Sequence, residues 1–137
     1  MSQTKNINFQ LILDALLDTD KPFPPAYLEH FSDIKENDLR VLEANWSAVP
    51  VWRKRALMED LEGLGSRNTI LSFEDMARFA VTDDDHRVRA LAVQILWEYD
   101  STDLADMFLR LTDEDPHFDV RTAAVTGLGQ FVFAGEP

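Results

Sequence analysis

One comb of apolar residues occurs twice in this chain, and it leaves little freedom in the fold. Val88, Leu91, Ala92, Ile95, Leu96 and Tyr99 fall at i, i+3, i+4, i+7, i+8 and i+11, positions that share one face of an α-helix. The comb returns 32 positions later as Val120, Ala123, Ala124, Gly127, Leu128 and Phe131, with Arg89 recurring as Arg121 directly after the valine. A shorter helical stripe precedes each comb: Phe73, Met76, Ala77 and Ala80 in one copy, Leu104, Met107, Phe108 and Leu111 in the other. Between the two helices of each copy lies an acidic turn, Thr82-Asp83-Asp84-Asp85 or Thr112-Asp113-Glu114-Asp115, and the second turn carries two extra residues, a slip that a loop absorbs. Tandem helix pairs that cannot bury their apolar faces alone stack on one another. The expected fold is therefore all-α, an α-α superhelix or solenoid of helix pairs.

A fainter copy runs upstream, with Leu39 to Trp46 as first helix, Val49-Pro50 as turn and Val51 to Leu64 as second helix, its stripe read as Ala56, Leu57, Leu61 and Leu64. Before it, Ile7 to Asp18 reads as an amphipathic helix, and Pro24-Pro25 opens a short helical turn through Phe31. The organisation expected is one domain over 1–137: N-terminal cap helices in 1–35, a degenerate repeat in 36–65, and repeats in 72–100 and 102–133. Segment 66–72 is polar but too short for a domain linker. Ser72, three residues before Asp75, reads as a helix N-cap, and Thr102-Asp103 starts the next first helix with an anion at its positive end. Gly63-Leu64-Gly65-Ser66 lacks the third glycine and the Gly-Lys-Ser ending of a phosphate loop, so it reads as a helix end broken by glycine.

Composition narrows function. Asp and Glu number 25 against 13 Lys and Arg, a net charge of −12, and cysteine is absent. The missing cysteines remove disulfides, cysteine–zinc sites and thiol nucleophiles. The negative surplus opposes binding to phosphate backbones, which takes clustered Lys and Arg, so no nucleic-acid partner is expected. No stretch approaches the roughly 20 apolar residues that span a bilayer, and no leader pattern stands at the start, so no membrane partner is expected and the default setting is the cytoplasm.

The motif Asp85-His86-Arg87-Val88-Arg89-Ala90-Leu91-Ala92, echoed by Asp115 and Val120-Arg121-Thr122-Ala123-Ala124, resembles HEAT repeats, particularly the short bacterial kind found in phycobilisome-lyase-like repeat proteins. The resemblance covers residues 73 to 132 well and 36 to 65 weakly. It implies that the turn aspartates and the arginines opening the second helices form a ladder between adjacent repeats, here Asp85, Arg89, Asp115 and Arg121. It also implies that the second helices line a concave surface. Counting roughly 100° per residue, Trp97 lies about 180° from Val88, with Ala90 and Val93 beside it, so these three are expected to face outward into that groove. Val125, Thr122 and Gly129 correspond to them in the last repeat, and Arg55, Met58 and Glu62 in the degenerate one. Tryptophan among small apolar residues suits an interface anchor. The bland reading has Trp97 packing on the neighbouring repeat. Trp46 and Trp52, flanking Val49-Pro50, are assigned to the core.

No catalytic, cofactor-binding or metal-binding residue is nominated. The chain shows no nucleophile elbow and no Ser-Lys motif, and no carboxylate pair is singled out by spacing. Stacking would gather Asp83, Asp84, Asp85 and His86 near Asp113, Glu114, Asp115 and His117, yet the spacing is not that of a calcium loop, and acids belong at helix N-termini for dipole reasons alone. His30 has no second donor at helical spacing. The function expected is a noncatalytic scaffold or adaptor that binds a protein or peptide, basic by charge complementarity. The family resemblance suggests two alternatives. A bilin lyase-like enzyme or small-ligand binder needs a roomier groove, and an alkylpurine glycosylase of HEAT-like fold needs a basic one. The apolar run Phe131-Val132-Phe133 reads as the end of a piece of a longer repeat array, with self-association through the C-terminal end as the competing expectation.

Overall fold

The structure, a computed structural model, describes residues 7–134, with side chains described as far as Phe131. All regular structure among these residues is helical. Met1–Met76 and Ala77–Pro137 form two compact units.

In the first unit, α1 (Phe9–Leu17) starts where the Asn8 carboxamide oxygen accepts the Gln10 N–H at 2.9 Å, a side-chain cap for one of the orphan donors of a helix start. It buries Phe9, Ile12, Leu13 and Leu16. A 3-10 turn, Pro25–Phe31, follows, opened by proline because the missing N–H has no partner there anyway. Phe31 at its end is fully buried, edge-on to Phe9 with ring centres 5.9 Å apart. Next come α2 (Glu36–Asn45), a short 3-10 turn at Trp46–Ala48, and α3 (Val51–Arg67).

The buried face of α3 differs from the one its periodicity suggests. Arg53, Lys54, Leu57, Met58 and Leu61 are buried, whereas Ala56 is exposed and Leu64 half-buried. Arg53 sets this register. Its guanidinium donates to the carbonyls of Ala15 (3.3 Å), Asp18 (3.1 Å) and Lys21 (2.8 Å), capping the end of α1, where carbonyls lack partners inside the helix and the dipole favours a cation. Apolar periodicity cannot show such a contact, because arginine reads as a surface residue. Met58, expected on an open face, is consequently sealed in the core at 0% exposure, and Arg55 is half-buried. Trp46 is buried, with the Lys54 ammonium 5.1 Å from its ring centre, but Trp52 is 56% exposed and is not core. Arg53→Ala should lower stability by about 2 kcal/mol, since hydrogen bonds to charged groups are each worth about 1.5–3 kcal/mol. Urea denaturation would show it as a lower midpoint.

Helix α3 also runs straight through Gly63 and Gly65 to Arg67, so the glycines do not end it. A Cβ on Gly65 would lie 3.3 Å from Phe73 Cδ2, so close packing rather than chain reversal accounts for that glycine. Ser72 stands one residue before the cap position of α4 (Glu74–Ala80) and serves elsewhere. Its N–H donates to Ser32 Oγ and its carbonyl accepts the Asp33 N–H, both at 2.8 Å, a two-way clasp between distant segments.

The second unit contains the end of α4, then α5 (His86–Leu96), α6 (Thr102–Glu114) and α7 (Phe118–Ala134). Asp85 caps α5 by accepting the Val88 N–H at 3.0 Å. The stripe residues Val88, Leu91, Ala92, Ile95 and Leu96 are buried, as are Leu104 and Phe108 of α6 and Val120, Ala123 and Ala124 of α7. Helix α7 packs on both α5 and α6. Gly127 permits that approach. A Cβ there would lie 2.6 Å from Phe108 Cε2 and 3.0 Å from Trp97 Cδ1. Alanine normally stabilises a helix by about 1 kcal/mol over glycine, but here the overlap reverses the sign. Gly127→Ala should destabilise by about 1–2 kcal/mol, read as a fall in thermal midpoint.

Candidate interaction surface on the C-terminal unit

The two repeat copies meet along a row of charged groups. Arg89, opening α5, grips the Asp115 carboxylate with two hydrogen bonds, Nε to Oδ2 at 2.9 Å and Nη2 to Oδ1 at 3.1 Å. Its Nη1 donates to the carbonyls of Asp83 (3.0 Å) and Asp84 (2.9 Å). Arg121 repeats one element of this pattern, donating to the Asp115 carbonyl six residues back at 2.9 Å, just as Arg89 reaches the Asp83 carbonyl six residues back. Asp85 acts as the α5 cap. Burial alone would raise the Asp115 carboxyl, but hydrogen bonds from the Arg89 side chain and the His117 backbone N–H, with the Arg89 charge, hold it below the usual carboxylate range.

Two histidines complete the row. The His86 and His117 rings stack in parallel with centres 4.4 Å apart. Asp119 Oδ2 lies 2.8 Å from His86 Nδ1, and since a carboxylate only accepts, that nitrogen donates. Arg89 Nη2 lies 3.2 Å from His117 Nδ1, and since a guanidinium only donates, that nitrogen accepts. The turns therefore come together through pairs and rings. Among the described residues no three His, Asp or Glu converge so as to hold a metal ion.

The outward face expected on α5 is covered. Ala90 is 1% exposed and Val93 0%. Trp97, half-buried on the same face, donates from Nε1 to the Ala123 carbonyl of α7 at 3.0 Å and lies beside Gly127. The tryptophan thus anchors one repeat to the next and does not present a free ring. The equivalent face of α7 is open: Thr122, Val125 and Gly129 are all exposed, and nothing lies within 4 Å of where a Gly129 Cβ would stand. Of the strip expected to bind, only this last part faces solvent within the second unit.

That open face continues onto α6. Phe118 (75% exposed) and Val125 (52%) border a hollow of about 350 Å³ together with Thr112, Arg121, Thr122 and Thr126. Thr112 also belongs to an adjoining hollow of about 540 Å³, lined by Leu109, 60% exposed, with Asp106, Arg110, Asp113 and Glu114. The Arg121 guanidinium sits 6.0 Å from the Phe118 ring centre, a contact that holds the ring while leaving its other side to water. The periodicity argument passes over Leu109 and Phe118. Their signal is being large and apolar off the buried stripe, with Leu109 about 140° around the helix from Leu104. Phe131 is half-buried, edge-on to Phe108 with ring centres 6.0 Å apart, and Phe133 lies outside the described side chains.

Residues 74–137 match the family model of HEAT repeats. The HEAT match spans α4 to α7, the region where combs, acidic turns and arginines recur, and does not extend to the α2–α3 pair. It supports reading this part of the chain as HEAT repeats, which commonly present binding surfaces for other proteins. No curated protein and no solved structure matches the chain. No helix among the described residues is long and apolar enough to cross a membrane.

Proposed function

We propose that this chain is a noncatalytic cytoplasmic adaptor that binds a protein partner through the open face of α7 and the adjoining edge of α6. One observation carries the reading. Leu109, Phe118 and Val125 are the large apolar side chains exposed among the described residues of the second unit, and Thr112 joins their hollows. Contiguous exposed apolar side chains rimmed by polar ones mark interaction sites. Asp106, Asp113 and Glu114 stand against Arg110 and Arg121 at the rim, and the whole chain carries −12. The favoured partner is therefore a helical segment with apolar anchors flanked by Lys and Arg. A second copy of this acidic chain is disfavoured by repulsion.

Fluorescence anisotropy with a labelled amphipathic Leu/Lys peptide and its Leu/Glu counterpart tests this. The Lys form should bind preferentially, more weakly as salt rises, and at least about tenfold more weakly to a Phe118→Ser, Val125→Ser double variant, each tenfold being about 1.4 kcal/mol. Both side chains are exposed enough for the fold to survive. Equal binding of the two peptides, or an unaffected double variant, removes the reading. Light scattering on wild type and double variant separates self-association, which would appear as a dimer lost on substitution.

A further inference from the structure

The two stacked histidines at the junction of the repeat copies are held in opposite senses. His86 donates from Nδ1 to Asp119 Oδ2 at 2.8 Å, whereas His117 accepts at Nδ1 from Arg89 Nη2 at 3.2 Å. We propose that this junction is a pH-sensitive switch, in which protonation of His117 frees its ring from Arg89, re-aims the neighbouring Phe118 and so withdraws the partner surface. A neutral imidazole has one donor and one acceptor nitrogen, and an imidazolium has two donors. His86 can therefore take a proton at its other nitrogen and keep its bond to Asp119, which the charge strengthens. His117 cannot. A proton on its Nδ1 sets N–H against the N–H of a guanidinium that is never deprotonated, so an attractive contact becomes a repulsive one.

The surrounding charges leave the protonated ring no better place in the stack. From α5, Arg89 points at it and the parallel His86 ring lies 4.4 Å away, a second cation once protonated. Asp115, on the turn before α7, brings Oδ1 to 4.0 Å from His117 Nδ1, but that carboxylate is taken up: Oδ1 accepts from Arg89 Nη2 and the His117 N–H, and Oδ2 from Arg89 Nε. On α7, Asp119 is engaged by His86, and Arg121 holds the Asp115 carbonyl. The turn before α5 gives Arg89 the carbonyls of Asp83 and Asp84, while its Asp85 carboxylate caps α5. Outward movement is open, because the His117 side chain is 47% exposed. It also reaches the surface described above, since Phe118 is the next residue, the first of α7, and borders the hollow with Val125. Histidine changes charge between about pH 5 and 8. Coupled to one proton, such an equilibrium moves from about one-tenth to about nine-tenths released over about two pH units. The loss of partner binding rests on the surface proposed above, whereas release of the ring does not.

NMR of the full chain between pH 7.5 and 5.5 tests the release. The Arg89 Nε–H and the Phe118 amide should move together with the His117 ring, and the ring-to-ring contact between His86 and His117 should fade. In His117→Asn the carboxamide oxygen can accept from Arg89 without titrating, so both signals should hold still while His86 continues to titrate. Carboxylates and lysines keep their charge over this interval, so the Leu/Lys peptide then reads the consequence. Wild type should bind it at least about fivefold more weakly at pH 5.5 than at pH 7.5, and His117→Asn should change less than about twofold. A His117 ring that titrates while Arg89 Nε–H and the His86 contact stay unmoved would overturn the proposal, as would equal peptide binding by wild type at both pH values or an undiminished pH effect in His117→Asn. Peptide bound at neither pH removes the surface instead, and the ring titration by itself then decides the switch.

Discussion

Asp115→Ala is expected to lower folding stability by about 3 kcal/mol, the low end for removing one partner of a buried ion pair. The carboxylate is 5% exposed and Arg89 12%, so the guanidinium left behind cannot be rehydrated without opening the structure. Arg89 would retain the Asp83 and Asp84 carbonyls, which is why the loss should not reach the upper end of the range. The His117 N–H would also lose its acceptor, now 2.9 Å away. Acid should act on the wild type in the same direction. The Asp115 carboxyl is held below its unfolded value, so the folded state binds fewer protons than the unfolded one across that interval. The resulting stabilisation is complete above about pH 4, the ordinary carboxylate value, and disappears as pH falls through the lowered folded value. Urea denaturation of wild type and Asp115→Asn at pH 7 and pH 3 should show a gap at neutrality that narrows in acid. A gap independent of pH would mean that the carboxylate charge contributes nothing.

Phe108→Ala should cost more, about 3–5 kcal/mol. Phe108 is completely buried, lies against Gly127 and stacks edge-on with Phe131. Its removal opens a cavity between α6 and α7 that packed neighbours on both sides cannot close. Because the ring occupies the space a Cβ at position 127 would need, the two positions are coupled. Gly127→Ala should be tolerated far better once Phe108 is reduced to leucine, and the double variant should lose less stability than the separate losses added together. Strict additivity would show that the contact does not govern helix spacing.

Much of the second unit was legible from periodicity. The stripes around Val88, Leu104 and Val120 hold most of its buried residues, since a helix must turn its apolar side chains to one face before it can leave water. Tyr99, Met107, Leu111, Leu128 and Phe131 are nonetheless half-buried, and Ala90 and Val93 are buried off the stripe. Pro24-Pro25 and Thr102-Asp103 mark helix starts for local reasons that need no partner. The α2–α3 pair was less legible, because a polar contact accompanies its register: Arg53 donates to two carbonyls at the end of α1 and one in the loop that follows, and Met58 lies inward. The pattern of apolar residues carries no record of a buried guanidinium.

The exposed site depended on tertiary structure for a different reason. Ala90, Val93 and Trp97 occupy the same helical positions in one repeat that Thr122, Val125 and Gly129 occupy in the next, yet Ala90 and Val93 are buried and Trp97 is held on α7, while the second set meets water. Sequence alone determined that these helices exist, where they begin and which stripe of each is buried, because those follow from side-chain spacing along a single helix. Which opposite face stays open was decided only when the helices packed, because that depends on a helix's place in the row and not on anything written along its own length.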